Sequence, residues 1–142
     1  MPAGIDQLII NFPYEEPSRH WSYKRETRTF ALEDGRRPAG YVRASEHSKA
    51  FDDPGVFIEL PLVNQIRKRV TPWRQDKYPG VTGISKRLLE HWHDPEQRDS
   101  AHRLFFCSLE AVETLIWLTE SPPADRQGIR SEERRVGKEC RL

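Results

Sequence analysis

The sequence predicts an α+β chain, and three observations carry that reading. Short strand-like runs separated by Gly- and Pro-containing turns fill residues 1–60, and apolar residues at helical spacing dominate 61–129. No internal repeat joins the two halves, so strands come first and helices follow. The expected order is an N-terminal extended arm and β-hairpin (1–60), then three or four α-helices (61–129). At 142 residues the chain is one small domain, and with 36% hydrophobic against 32% charged residues its core must be modest.

The arm, Asn11-Phe-Pro-Tyr-Glu-Glu-Pro-Ser-Arg-His-Trp21 and on to residue 25, carries prolines that favour extended backbone over helix. Its aromatics suit an ordered segment lying over another surface. Thr27-Arg-Thr-Phe-Ala-Leu32 and Gly40-Tyr-Val-Arg-Ala44 read as two short strands paired as a hairpin. Asp34-Gly35 is the expected tight point between them, and Asp52-Asp53-Pro54-Gly55 a further turn.

Leu62, Val63, Ile66 and Val70 predict an amphipathic helix with Gln65, Arg67, Lys68 and Arg69 outside. Ile84, Leu88 and Trp92 predict a second, capped by Thr82. Asp94-Pro95-Glu96-Gln97 has the chemistry of another helix start. The strongest pattern is Phe105, Leu109, Val112 and Ile116, widened by Phe106, Leu115 and Trp117 and ended by Pro122-Pro123. So wide an apolar arc expects cover on more than one side, and the chain offers little to supply it.

Residues 130–142, Arg130-Ser-Glu-Glu-Arg-Arg-Val-Gly-Lys-Glu-Cys-Arg-Leu142, follow neither period. In one reading frame the stem of a common sequencing adapter encodes residues 130–141 one for one. The tail is therefore expected to be a disordered, non-native addition, with the native chain continuing beyond Ile129. Its five basic and three acidic residues turn a net charge of +1 into −1 for residues 1–129, which gives no global argument for nucleic-acid binding.

No run approaches the roughly 18 apolar residues of a membrane span. Residues 1–10 include Asp6 and lack a basic start, which argues against a secretory signal. Cys107 and Cys140 make no disulfide framework. A cytoplasmic protein with no membrane partner is expected.

Several groups invite chemistry. His91 and His93 on one helix would point about 200° apart, so with His102 they are not expected to hold a metal. His91 is better placed as a cation near a helix C-terminus. Arg67, Lys68, Arg69, Arg74, Lys77, Lys86 and Arg87 form a basic cluster with Trp73 and Tyr78 interleaved. Its alternatives are a solvated helix face or contact with nucleic-acid phosphates and bases. Cys107 reads as a small core residue, and no Ser sits in a nucleophile elbow. Gly80-Val-Thr-Gly83 lacks the lysine of a phosphate-binding loop. No catalytic residue is assigned.

A set of motifs does stand out in order. They are Ile5-Asp-Gln-Leu-Ile-Ile-Asn-Phe-Pro-Tyr-Glu-Glu-Pro17, Arg19-His-Trp21, Glu26-Thr-Arg-Thr-Phe30, Gly35-Arg-Arg-Pro-Ala-Gly-Tyr41 and Phe51-Asp-Asp-Pro-Gly55. Tyr78-Pro-Gly-Val-Thr-Gly83, Lys86-Arg-Leu-Leu-Glu-His-Trp92 and Phe105-Phe-Cys107 with Leu109-Glu-Ala111 follow. Over residues 5–129 the chain resembles the N-terminal region of the restriction subunit of type III restriction-modification enzymes and their superfamily-two helicase relatives.

The resemblance implies that this region packs on a RecA-like α/β motor, which hydrolyses ATP with Mg2+ and moves on DNA, with a nuclease in full-length members. It implies as partners DNA, the rest of that motor and a separate methylating subunit that supplies specificity. The parent would be an ATP-dependent hydrolase, whereas residues 1–129 hold neither Walker motif nor a nuclease motif and need no cofactor of their own. The helix of residues 104–120 is similar to the one bearing an adenine-recognising glutamine. Here Ser108 occupies that position, before Glu110 and Ala111, and a hydroxyl lacks the paired donor and acceptor of an amide. Arg67, Lys68, Arg69, Arg74, Lys86 and Arg87 are the candidate nucleic-acid contacts. The alternative to this family is a stand-alone nucleic-acid-binding or protein-interaction module.

Overall fold

The computed structural model describes residues 7–46, 54–94, 96 and 102–129. Strands β1 (Arg19–Lys24), β2 (Thr29–Asp34), β3 (Gly40–Arg43) and β4 (Val56–Glu59) precede helices α1 (Pro61–Gln75), α2 (Gly83–His93) and α3 (Phe106–Glu120). The chain is thus α+β, with two small antiparallel sheets, β1–β2 and β3–β4, and three helices among the described residues.

The strand pairing corrects the expected hairpin. β2 pairs with β1 and not with residues 40–44, with Trp21 opposite Leu32 and Tyr23 opposite Phe30. The reversal falls at residues 25–28, where Arg28 takes a left-handed φ of 53°. Gly35 is not the hairpin turn, because its N–H reaches Ser18 O at 2.7 Å and extends the β1–β2 ladder. β3 is claimed by β4 instead: Leu60 N–H donates to Ala39 O at 2.8 Å, and Asn64 Oδ1 accepts the Ala39 N–H at 2.7 Å. Gly40 makes this possible, since a Cβ there would lie 2.5 Å from Ile58 O. What was expected to be arm throughout is strand from residue 19, and Asn11 fastens the rest by bonding Arg19 O and the Ser18 N–H.

α1 starts on Pro61 and runs on through Pro72, whose missing N–H leaves one helical bond unmade. It ends in two successive left-handed residues, Lys77 (φ 62°) and Tyr78 (φ 61°). That sharp turn carries the Tyr78 N–H back to Trp73 O at 3.0 Å and lays the two rings edge to face at 4.8 Å. Trp73 Nε1–H closes the turn on Pro79 O at 3.0 Å.

Thr82 caps α2 as expected, accepting the Ser85 N–H at 3.3 Å. The face it buries differs from the expected one. Leu89 is fully buried, while Ile84 and Leu88 are exposed, because α3 approaches along the row through Ser85, Leu89 and Trp92. The same correction holds for α3: Phe106, Leu109, Glu113 and Trp117 point inward, and Phe105 and Leu115 point out. The core is Val70, Trp73, Tyr78, Leu89 and Trp117, with Ile66, Val81, Trp92, Ile116, Leu118 and Ile129 packed around it. Cys107 is exposed rather than part of the core, since it lies one residue off the buried row.

The tail 130–142, Asp52 and Asp53 of the second turn, and Pro95 and Gln97 of the proposed further helix start lie outside the described residues. No helix among the described residues is long and apolar enough to cross a membrane.

Candidate functional site

α3 is the most apolar helix, yet three acids on it clamp every neighbouring element. Glu110 meets the 35–40 loop and α1: its Oε2 lies 2.7 Å from Arg36 Nη2 and its Oε1 3.3 Å from Arg67 Nε. Glu120 accepts the Thr82 N–H at 2.8 Å and the Ser85 hydroxyl, fastening the start of α2. Those hydrogen bonds, from Ser85 first and then Thr82, hold the Glu120 carboxyl below the ordinary range.

Glu113, between them, is completely buried. Arg74 of α1 bonds it through Nε, His93 Nε2 lies 2.6 Å from its Oε1, and the Tyr78 hydroxyl donates to the same oxygen at 3.0 Å. Tyr78 and His93 also touch each other through Oη and Nε2. Burial is the largest single influence on Glu113 and pushes its carboxyl up. The hydrogen bonds and charges of His93 and Arg74 together outweigh it, so the group titrates below the ordinary 4.5. Burial, followed by the charge and hydrogen bond of Glu113, pushes the Tyr78 phenol above its ordinary 10.0. The carboxylate is out of reach of any substrate. Its chemistry is to hold α1, the 76–82 connection and α2 in one arrangement on α3.

Of the basic residues singled out above, Arg67, Arg69 and Arg74 are engaged within the chain. Arg67 faces Glu110, Arg69 donates to Asp125 O at 2.8 Å, and Arg74 joins Glu113 while lying over the Phe106 ring at 5.1 Å. Lys68, Lys86 and Arg87 are exposed, so the six do not form one patch of uncommitted charge. His93 is taken up by Glu113 and Tyr78, and no group of three metal-ligating side chains gathers among the described residues.

Ser108 lies exposed in the first turn of α3, its N–H on Phe105 O at 3.0 Å and its hydroxyl 4.0 Å from Cys107 Sγ. An aromatic ladder stands beside it. Tyr14 stacks on Phe105 at 5.4 Å and 24°, Phe12 meets Tyr14 edge-on, and the Arg103 guanidinium sits 4.3 Å over the Tyr14 ring. The arm is fixed there by the Phe106 N–H, which donates to Pro13 O at 2.9 Å. This end of α3 therefore presents a hydroxyl, a thiol, π-faces and a cation together. No group of metal-ligating side chains that would hold Mg2+ beside a nucleotide's phosphates gathers among the described residues.

Reading the sequence missed Glu113 and the ladder. Glu113 stands four residues after Leu109 and four before Trp117, so an acid on an apolar row was the available signal. Compared with family models, with curated proteins and with solved structures, the chain matches none.

Proposed function

We propose that this chain is the N-terminal part of an ATP-dependent DNA restriction or helicase subunit of the type III kind, acting in the cytoplasm. In this reading it docks on a RecA-like motor that follows it, and ATP hydrolysis, DNA movement and cleavage belong to the longer protein. DNA and a methylating subunit are then partners of that protein. The ordered motifs described above suggest the family.

The structural observation that carries the reading is a surplus of uncovered apolar surface. Among the described residues sixteen large hydrophobic side chains are exposed and seven are buried. The exposed ones include Phe30 and Leu32 on β2, Ile84 and Leu88 on α2, and Phe105 and Leu115 on α3. A packed neighbour would cover these side chains, as contiguous apolar surface at a docking face requires. In that assembly Ser108 and Phe105, exposed at the start of α3, would stand beside the base of the bound nucleotide. Ser108 would offer one hydroxyl where an amide would offer a donor and an acceptor, so base selectivity would be loose.

The purified chain is expected to show no ATP turnover, and turnover surviving stringent purification would contradict the reading. The internal pairing of Arg67, Arg69 and Arg74 weighs against a stand-alone nucleic-acid module built on the basic cluster.

A further inference from the structure

A cavity of about 460 Å³, open to solvent, lies between the arm, β1, the 36–40 loop and α1. Its walls include Arg19, His20, Trp21, Arg36, Arg37 and Arg67, and no carboxylate lines it. We propose that this cavity binds a phosphate group carried by a nucleotide, held by the guanidinium forks of Arg19 and Arg37.

The charge balance argues for an anion. The carboxylates that reach these guanidiniums are not among the lining residues: Glu110 pairs with Arg36 and Arg67, and Glu16 lies 3.3 Å from Arg36. Among the described residues Arg19 and Arg37 meet backbone carbonyls, Ile10 O at 3.2 Å and Trp21 O respectively. Each guanidinium has five N–H donors, so most of their capacity is unspent. Arg67 Nε is buried and has no hydrogen-bond acceptor, its 3.3 Å approach to Glu110 lying outside bonding geometry. Arg19 and Arg37 thus line this space with unspent donors, and a phosphate is the group whose oxygens match guanidinium forks.

The site is also built in advance. Asn11 Oδ1 accepts the Arg19 N–H at 3.2 Å, and its Nδ2–H donates to Arg19 O at 2.8 Å, which fixes the first wall. Asn64 Oδ1 holds the Ala39 N–H at 2.7 Å, which fixes the second. His20 also lines the cavity, its ring fixed by Nδ1 on Gly35 O at 2.8 Å. The volume is within the range of small-molecule sites and exceeds what a lone phosphate fills, leaving room for a sugar or base beside Trp21. Three segments distant in sequence, 10–21, 36–40 and residue 67, come together here. The inference rests on the cavity alone and does not need the family reading.

The test is calorimetric titration of the full chain with a nucleoside 5′-monophosphate, the same nucleoside without phosphate, inorganic phosphate, and a short single-stranded oligonucleotide. Saturable binding of the monophosphate is expected, with none by the bare nucleoside. Arg37→Gln and Arg19→Gln, each shown folded by circular dichroism, are expected to weaken it roughly tenfold. Arg43→Gln, which removes one positive charge outside the lining, should leave it unchanged. Tighter binding of the oligonucleotide, lost in the same two variants, would identify a strand as the source of the phosphate. Equal binding of bare nucleoside or of inorganic phosphate, no binding of any phosphate probe, or wild-type affinity in both cavity variants would overturn the proposal.

Discussion

His93 Nε2 lies 2.6 Å from Glu113 Oε1, joining the last turn of α2 to the middle of α3 inside the core. Arg74 reaches the other carboxylate oxygen from α1, so one buried acid ties three helices. The helices also meet through Val70, Trp73, Leu89 and Trp117, with Ile66, Trp92, Ile116 and Leu118 around them, and the polar knot adds fixed geometry to that apolar contact.

Glu113→Ala should therefore cost about 3 kcal/mol, because Arg74, His93 and Tyr78 lose the buried carboxylate they share and Arg74 keeps only Glu16, at 3.6 Å. Urea unfolding monitored by tryptophan fluorescence measures it. A loss below about 1 kcal/mol would show that water reaches the site and carries the charge.

The same knot fixes the pH response. Glu113 titrates lower in the folded chain than its ordinary 4.5, so its contribution is full above that value and is lost as pH falls through the folded one. Tyr78 titrates higher than its ordinary 10.0, so its contribution is full below that pH and is lost as pH rises above it. Stability should decline on both flanks. Glu113→Gln should flatten the acid flank and Tyr78→Phe the alkaline one, as read by chemical denaturation at a series of pH values.

Leu89 and Ile84 separate the buried row of α2 from the exposed one. Leu89→Ala should cost about 2–5 kcal/mol, and Ile84→Ala no more than about 0.5 kcal/mol in the isolated chain. Thermal and urea melts of the two variants decide it, and equal losses would contradict the packing.

Lys77 is strained at φ 62° in the turn that places Tyr78 under Trp73. Lys77→Gly should raise stability by about 1 kcal/mol, since glycine adopts that conformation without a Cβ clash. A drop on equilibrium unfolding would mean that the lysine side chain contributes more than the strain costs.

Local signals explain what could be read from the sequence. Thr82 before a helical run marked the start of α2, and Pro122-Pro123 marked the end of α3. Strand pairing was not legible, because β2 had β1 on one side and β3 on the other. Asn64, on α1, settled the choice by pinning Ala39, a contact 25 residues away. The helix faces were half legible. Ile84 and Leu88 have the right spacing, but the side from which α3 approaches puts Leu89 inward. Arg67 and Arg74 read as surface charge because their partners, Glu110 and Glu113, lie on a helix whose apolar residues mask its acids. The arginine-lined cavity had no linear signature, since its walls come from three separated segments.

The most direct measurement on the central claim is to re-amplify the gene from its source DNA and read through codon 129. The account predicts that the frame departs from the Arg130–Leu142 sequence and soon enters a Gly-x-Gly-Lys-Thr phosphate-binding loop. Clean reads that encode Arg130 to Leu142 and then stop would contradict it. The chain would then be a protein in its own right, to be tested first for DNA affinity against salt.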